Sequence, residues 1–280
     1  MMKMMWRIAL AAWFATCMVT AYPGHAQALT QYAVNVTDPV LKPTGNHVIA
    51  RYYLLWDGRA NCAVGQTARI VLALHGGGGT PENFATKFVP QGCYVVAYPY
   101  GTDKKSSGWI TKGTNLSWYA YGVEQGSYKN NDGTINAVDE NQFVLAVLAD
   151  IRSRTGLTAA PVFGAAVSKG AMLSYHIACD LGIFSAFVIS SGTITDTTCT
   201  PATKAPVFHE YGTADTNVCW VYTGSSCNPW PPAKPLVEAW QGVPPTAPNV
   251  LLSLTGMTHG WPELPVYDMN AAAWAWLDAR

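Results

Sequence analysis

A serine stands at the junction between an apolar segment and a predicted helix. The segment begins at Pro161 and reads PVFGAAV, Ser168 follows it, and KGAM opens the helix. A serine on such a sharp strand-to-helix turn can present its hydroxyl above the edge of a sheet, where it can attack a carbonyl carbon. The usual form has glycine two residues before the serine, a position that Ala166 occupies here. We predict that Ser168 is a nucleophile; the alternative is a serine that only caps the helix.

A nucleophilic serine needs a base to accept its proton, and the base needs an acid to orient it. Asp215 lies in the turn GTAD after the apolar segment Pro206–Tyr211, and His259 lies in the loop GMTHGW after the apolar segment Val250–Leu254. The order serine, aspartate, histidine, with each residue directly after a strand, predicts a catalytic triad. Two other aspartates follow late apolar strands less directly and are weaker candidates for the acid: Asp196 and Asp268.

A run of four glycines could supply backbone amides to a negatively charged oxygen. The sequence HGGGGT begins at His75, directly after the apolar segment Arg69–Leu74. Such a loop can turn an amide toward a developing oxyanion. We predict the Gly77 amide as one donor and the Lys169 amide, next to the nucleophile, as the second, with His75 shaping the loop. A phosphate-binding loop is disfavoured, because the run has no Gly-Lys-Ser/Thr ending and no G-x-G-x-x-G pattern.

These residues require a sheet whose strands end at a common edge. From about residue 48 the chain alternates short apolar runs with helical patterns, which predicts an α/β fold with a mostly parallel sheet and helices on both faces. The predicted strands are His47–Trp56, Arg69–Leu74, Tyr94–Tyr98, Pro161–Ala165, Ala186–Ser190, Pro206–Tyr211 and Val250–Leu254. The predicted helices are Val138–Arg154, Lys169–Asp180 and Met269–Ala279.

The motifs and their order resemble the secreted α/β-hydrolase esterases that group feruloyl and acetylxylan esterases (carbohydrate esterase family 1-like) with polyhydroxybutyrate depolymerase-like proteins. The resemblance rests on LHGGGGT, VSKGAM, FSAFVISSG, HEYGTAD and THGWP, and it extends from about Arg69 to the C terminus. It implies an α/β-hydrolase fold, ester hydrolysis through an acyl-enzyme, and no metal or organic cofactor. It also implies Ser168, Asp215 and His259 as the triad, with oxyanion support near Gly77.

The chain departs from this family at the serine turn. The family often has G-x-S-N-G-G there, whereas Ala166 and Lys169 replace the first glycine and the asparagine. Lys169 keeps the backbone donor but adds a positive charge beside the nucleophile, which bears on substrate preference.

Two long irregular stretches, Gly101–Asn136 and Thr213–Pro235, are rich in aromatic residues and are predicted to bind substrate. Exposed rings around a catalytic serine suit flat, apolar or sugar-bearing groups. The aromatic residues of these stretches and of the histidine loop are Trp109, Trp118, Tyr119, Tyr121, Tyr128, Trp220, Tyr222, Trp230 and Trp261, of which Trp109, Trp118, Trp220 and Trp261 are the main substrate-binding candidates.

The predicted substrate is an ester of a plant cell-wall polysaccharide, with a feruloyl group preferred over acetyl. A polyhydroxybutyrate or other polyester depolymerase is the first alternative, and a peptidase is weaker. A protein of another class, a catalytically inactive member of the fold that binds carbohydrate, is disfavoured because such a protein has no need of all three triad residues.

Residues 1–28 have the pattern of a secretory signal peptide. Lys3 and Arg7 precede the apolar run Ile8–Ala21, and Ala26-Gln27-Ala28 fits a cleavage site. The run of about 14 residues is shorter than the roughly 20 that span a bilayer, which disfavours a membrane anchor. We therefore predict a secreted protein whose residues 29–280 form one catalytic domain without a membrane anchor.

Seven cysteines occur, and removal of Cys17 with the leader leaves six. In an oxidising compartment six cysteines suggest three disulfides, for which 15 pairings exist. A zinc site is disfavoured, because the chain has neither a C-x-x-C pair nor histidines at ligand spacing. The preferred pairs join neighbouring strands, a helix and its adjacent loop, and a short local loop: Cys62 with Cys93, Cys179 with Cys199, and Cys219 with Cys227.

Composition excludes several classes of protein. Lysine plus arginine equals aspartate plus glutamate at 17 each, so no basic surplus favours nucleic acid as a partner. The 25 glycines and 18 prolines follow no fixed period, which disfavours solenoids and propellers.

Overall fold

The computed structural model describes residues 28–38, 47–105, 108–110, 112–114, 116–119, 139–199, 203–221 and 230–280. The predicted signal peptide, apart from Ala28, lies outside these residues. Within the described ranges, no helix combines the length and the apolar character needed to cross a membrane.

Ten strands and five α-helices make up the described chain. The strands are β1 Thr30–Asp38, β2 His47–Asp57, β3 Arg69–Leu74, β4 Tyr94–Pro99, β5 Asp103–Lys105, β6 Gly108–Ile110, β7 Val162–Val167, β8 Phe184–Ser190, β9 Val207–Gly212 and β10 Val250–Leu254. The helices are α1 Pro81–Lys87, α2 Glu140–Thr155, α3 Lys169–Asp180, α4 Ala233–Gln241 and α5 Met269–Asp278, and a 3₁₀ turn spans Gly58–Asn61. Each predicted strand and helix lies within two residues of an observed one at both ends.

The sequence patterns missed three of the longer elements. Strand β1 precedes the region where the alternation becomes clear, and it forms the edge of the sheet by pairing antiparallel with β2. Helix α1 has seven residues, too few for a periodic signal; Thr80 caps it by accepting from the Asn83 amide, and Pro81 begins it. Helix α4 starts inside a stretch that we predicted to be irregular.

Eight strands form one sheet in the order β1-β2-β4-β3-β7-β8-β9-β10. Strand β2 pairs antiparallel with both β1 and β4, and the remaining six strands are parallel. The predicted mostly parallel sheet is therefore confirmed. Because parallel strands all end at the same edge, the segments after β3, β7, β9 and β10 converge there.

Two apolar layers cover the sheet. Helices α2, α3 and α4 pack on one face, and α1 and α5 pack on the other. Strands β4 and β7 are buried at every position, as expected for strands with helices on both faces.

Disulfides join Cys62 to Cys93 and Cys179 to Cys199, which confirms two of the predicted pairs. Cys219 is also disulfide-bonded. Its predicted partner, Cys227, lies outside the described residues.

A buried ion pair joins β2 to the start of α2. Arg51 Nη2 lies 2.9 Å from Glu140 Oε2, and both side chains are 1% exposed. The guanidinium also donates to the Tyr100 carbonyl and lies 3.8 Å above the Phe143 ring. Glu140 accepts from the Tyr119 amide through its other oxygen. Burial raises the pKa of Glu140, and the Arg51 charge opposes that shift.

Candidate active site

Ser168 occupies a strained turn between β7 and α3. Its φ of 56° and ψ of −122° lie in a region that non-glycine residues rarely adopt. Gly170 makes this turn possible, because a Cβ at its position would lie 2.3 Å from the Leu74 carbonyl oxygen. Ala166 is buried within β7, so alanine is accommodated where the usual form has glycine. The geometry is that of a nucleophile elbow.

Ser168, His259 and Asp215 form a continuous hydrogen-bonded chain. Ser168 Oγ lies 2.7 Å from His259 Nε2, and His259 Nδ1 lies 2.8 Å from Asp215 Oδ2. The Asp215 side chain is 1% exposed, whereas the His259 side chain is 21% exposed. The structure thus brings the three predicted residues together with a buried acid, a central imidazole and a serine at the sheet edge.

The backbone fixes Asp215 and the histidine loop relative to each other. Asp215 Oδ1 accepts from the amides of Asn217 and Val218, which leaves Oδ2 for His259. The Ala214 amide donates to the Met257 carbonyl, so the turn after β9 is bonded to the loop after β10.

The glycine run lies beside Ser168. Within the described chain, the Gly78 amide donates to the Leu116 carbonyl and the Gly79 amide donates to the Gly76 carbonyl, whereas the Gly77 amide donates to no protein group. The Lys169 amide opens α3, where the first amides of a helix have no partner within the helix. Among the described residues, neither predicted oxyanion donor donates to a backbone acceptor outside its own helix.

His75 stabilises this loop from inside the protein. Its Nδ1 donates to the Gly76 carbonyl, and its Nε2 accepts from the Gly101 amide. Trp118 packs against the imidazole with ring centres 4.8 Å apart and donates to the His75 carbonyl. Burial lowers the pKa of His75 to about 4. A buried, neutral imidazole with both nitrogens engaged shapes the loop, as the sequence predicted.

No protein-family model matches this chain, and a search of curated proteins gives no match. Solved structures match along most of its length. A cold-adapted esterase from an Arctic intertidal metagenomic library has 15% identity and a TM-score of 0.57, with 90% of this chain and 94% of that one covered. TT1662 from Thermus thermophilus has 15% identity and a TM-score of 0.53, with 89% of this chain and 98% of that one covered. Zea mays acyl-protein thioesterase 2 has 15% identity and a TM-score of 0.50, with 81% of this chain and 97% of that one covered.

The chain has the α/β-hydrolase fold. Identities this low establish the fold alone. In this fold, Ser168 follows β7, Asp215 follows β9 and His259 follows β10, so the three residues lie at the same sheet edge.

A cavity of about 190 Å³ opens beside Ser168 and His259. Phe84, Val167 and Trp261 form its apolar wall, and α1 contributes polar side chains at the rim. The Phe84 ring packs edge-on against Trp261 with centres 5.3 Å apart. No sequence pattern indicated that Phe84 would line this cavity, because helix α1 was itself not predicted.

The predicted substrate-binding tryptophans have different environments. Trp118 is fully buried against His75, so the prediction that it offers an exposed ring to substrate is wrong: the loop folds inward over the glycine run. Trp261 is 3% exposed but lines the cavity. Trp220 is partly buried and stacks on Tyr211 with centres 3.9 Å apart. The side chain of Trp109 lies outside the described residues.

The Lys169 side chain extends over the glycine run toward the second aromatic loop. A Cβ at Gly77 would lie 2.8 Å from Lys169 Cδ, and Lys169 Nζ lies 5.9 Å from the centre of the Trp230 ring. Burial lowers the pKa of Lys169. In the described part of the chain, no carboxylate lies within ion-pair distance of this ammonium.

A second group of polar residues lies at the C-terminal end of α3. Atoms of His176, Asp180 and Asp196 lie within 4.8 Å of one another. His176 Nε2 lies 3.2 Å from Asp180 Oδ2, which also accepts from Asn141. The third member, Asp196, accepts from the amide and hydroxyl of Thr198.

The sequence missed the groups that hold the loop after His259. Ser190 ends β8 and Ser191 follows it, and the hydroxyls of both contact Gly260. Ser190 Oγ also lies 2.5 Å from Glu210 Oε2 in β9. A single charged residue inside the apolar strand VFHEYG was the signal available in the sequence.

Proposed function

We propose that this protein is a serine carboxylic-ester hydrolase. The observation that carries the proposal is the hydrogen-bonded chain from Ser168 through His259 to the buried Asp215. This arrangement allows proton removal from serine, and the amides of Gly77 and Lys169, which have no backbone acceptor outside helix α3 in the described chain, suit an oxyanion. The solved structures of the same fold include proteins named as esterases and a thioesterase, which also supports the proposal.

In the proposed reaction Ser168 Oγ attacks the ester carbonyl carbon while His259 Nε2 accepts the hydroxyl proton. The amides of Gly77 and Lys169 stabilise the negatively charged oxygen of the tetrahedral intermediate. His259 then gives its proton to the leaving alkoxide, and an acyl-enzyme remains. Water, activated by the same imidazole, releases the acid and restores the serine. Asp215 orients His259 and stabilises its charged form.

The proposed substrate is a feruloyl ester of plant cell-wall polysaccharide, with acetyl as the smaller alternative. The resemblance of the motifs to feruloyl and acetylxylan esterases supports it, as do the aromatic rings of Phe84 and Trp261 along the cavity. A polyester depolymerase is less well supported. Adsorption of a polymer needs exposed rings, whereas Trp118 and Trp261 are buried and Trp220 stacks on Tyr211.

We also propose that the protein is secreted. Cys62–Cys93 and Cys179–Cys199 are disulfides, which persist in oxidising compartments. The pattern of residues 1–28 supports the same proposal. The mature enzyme is proposed to act outside the cytoplasm without a membrane anchor, metal or organic cofactor.

Release of ferulate from methyl ferulate tests the proposed function. The mature protein and a Ser168→Ala variant are assayed in parallel, with p-nitrophenyl butyrate as a second ester. We expect both esters to be cleaved by the wild type and neither by the variant. If only p-nitrophenyl butyrate is cleaved, the proposal of an aromatic acyl group is contradicted, whereas the proposal of esterase activity stands. If neither ester is cleaved, the proposed esterase activity is contradicted, and the catalytically inactive carbohydrate-binding protein becomes the favoured alternative.

A further inference from the structure

The Ser190 hydroxyl lies between two oxygen atoms that both normally accept hydrogen bonds. Ser190 Oγ is 2.5 Å from Glu210 Oε2 and 2.6 Å from the Gly260 carbonyl oxygen. A hydroxyl has one hydrogen and can donate to only one acceptor. If Glu210 were ionised, one of these two short contacts would join two oxygens without a hydrogen between them. Both contacts become hydrogen bonds when Glu210 is protonated and donates to Ser190, which then donates to Gly260.

The surroundings of Glu210 disfavour its charged form. The residue is fully buried, and its second oxygen, Oε1, has no hydrogen-bond partner within the described chain. Its register partners on the neighbouring strands are Ser190 in β8 and Leu252 in β10, neither of which is charged. A carboxylate here would therefore lack a compensating cation.

Within the described chain, no lysine or arginine forms an ion pair with Glu210. Helix α5 packs Ala273 and Trp276 against this face of the sheet. The titratable groups nearby are Asp215, after the same strand, and His259, which precedes Gly260. Burial, with the Asp215 charge adding to it, raises the pKa of Glu210 to about 7, and the Ser190 hydrogen bond opposes that shift.

We propose that Glu210 carries a proton in the active enzyme and, through Ser190, holds the loop that carries His259. Glu210 is then a positioning residue. Ser191 also holds Gly260, because its hydroxyl accepts from the Gly260 amide at 3.0 Å and lies 3.1 Å from the Gly260 carbonyl oxygen. The backbone of Ser191 has a positive φ of 50°. The Ser190 carbonyl accepts from the Ser168 amide, so the same segment contacts the nucleophile.

Loss of this proton changes the contacts of Gly260. The Ser190 hydroxyl turns its hydrogen toward the ionised Glu210, because a carboxylate is the stronger acceptor. The Gly260 carbonyl then loses one of its two hydroxyl contacts, and the peptide that follows His259 is held less firmly. Since His259 must lie within hydrogen-bond distance of Ser168, we expect kcat to fall while KM stays nearly constant.

The kinetic test rests on the proposed function and uses p-nitrophenyl butyrate. We expect the kcat of the wild type to fall roughly tenfold as pH rises above the pKa of Glu210, less than the roughly 100-fold that a misplaced catalytic group can cost. Glu210→Gln keeps a neutral donor at this position, so this variant should keep its kcat at high pH. The same alkaline decrease in wild type and Glu210→Gln would overturn the positioning role.

An infrared test does not depend on activity. The difference spectrum between wild type and Glu210→Gln should contain the carbonyl band of a protonated carboxyl group at acidic to neutral pH. This band should decrease with the same midpoint as kcat and shift in Ser190→Ala, where the acceptor is lost. Absence of the band would overturn the proposal. The band without esterase activity toward any ester would support the proton on Glu210 and contradict the proposed function.

Should Glu210→Gln fail to fold, Ser190→Ala provides the second variant. It removes the hydroxyl that connects Glu210 to Gly260, so its kcat should be lower than that of the wild type at neutral pH. It should also lack the alkaline decrease. An alkaline decrease in Ser190→Ala equal to that of the wild type would overturn the proposal.

Discussion

At the scale of single residues, Asp215 decides which nitrogen of His259 carries the proton. Its Oδ1 is occupied by two backbone amides, and its Oδ2 faces His259 Nδ1 at 2.8 Å. An ionised carboxylate here requires a hydrogen on Nδ1, which leaves Nε2 free to accept the Ser168 proton. The role proposed for Asp215 therefore depends on its negative charge as well as on its shape.

Asp215→Asn should lower kcat by roughly 10⁴-fold with little change in the fold, because an amide favours the wrong imidazole tautomer. The measurement is steady-state hydrolysis of p-nitrophenyl butyrate. Asp196→Asn is the matched control, since Asp196 was the competing acid in the sequence and instead accepts from Thr198. A large loss in Asp196→Asn with activity retained in Asp215→Asn would contradict the assignment.

Glu210 should also make stability depend on pH. Its pKa is raised to about 7 in the folded protein from an ordinary value of 4.5, so the folded state keeps a proton that the unfolded state releases between these values. The stability that this group contributes is complete below about pH 4.5 and is lost as pH rises through about 7. Relative to Glu210→Gln, the wild type should lose on the order of 3 kcal/mol over this range.

Urea unfolding of both proteins at several pH values checks this expectation. The comparison with Glu210→Gln removes the contributions of other titrating groups. A difference between the two proteins that stays constant from acid to alkaline pH would show that folding does not raise the pKa of Glu210 and would contradict this expectation.

At the scale of elements, the ion pair of Arg51 and Glu140 attaches β2 to α2. Removal of one partner leaves the other charge buried without a counterion. The free-energy cost of that unpaired charge exceeds the stabilisation that the intact pair provides. Glu140 also accepts from the Tyr119 amide, so the pair holds the segment in which Trp118 supports the glycine loop. The same contact therefore contributes to the fold and to the site.

Glu140→Ala should lower the free energy of unfolding by about 3 to 5 kcal/mol. Glu263→Ala is a suitable control, because its ion pair with Lys87 is exposed and should be worth less than about 1 kcal/mol. Chemical denaturation measures both variants. If both variants lost the same free energy of unfolding, the view that burial determines the cost of breaking an ion pair would be contradicted.

The sequence predicted those features that local patterns determine. Strands such as β4 and β7 are continuous apolar runs because helices cover both faces. The proposed triad residues could be found because each lies in the turn or loop after a predicted strand. Burial of Trp118 depends on how its loop folds over His75, and no local pattern encodes that. The contact of Glu210 with Ser190 depends on the register of β8 and β9 in the same way.

At the scale of the whole molecule, disulfides restrain segments outside the sheet. Cys179 lies in the last turn of α3 and Cys199 lies in the loop after β8, so this bond connects the helix that begins after Ser168 to the segment beyond Ser191. The bond closes a loop with a sequence separation of 20 residues. Such a loop restricts the unfolded chain and thereby stabilises the folded one.

Replacement of Cys179 and Cys199 by alanine should lower the free energy of unfolding by about 3 kcal/mol. Neither cysteine takes part in the hydrogen bonds that join Ser168, His259 and Asp215, so kcat at low temperature should change little. Thermal unfolding and p-nitrophenyl butyrate hydrolysis measure the two effects. Unchanged stability would contradict a stabilising disulfide between Cys179 and Cys199. A loss of kcat without a loss of stability would show that the bond helps to position the site.

Covalent labelling with a fluorophosphonate, followed by mass spectrometry of the peptides, tests the central claim most directly. The reagent reacts with serines that a neighbouring base activates. We predict one adduct on the peptide that contains Ser168, and its loss in His259→Ala. An unlabelled protein, or an adduct on another serine, would contradict the proposal that Ser168, His259 and Asp215 form a catalytic triad.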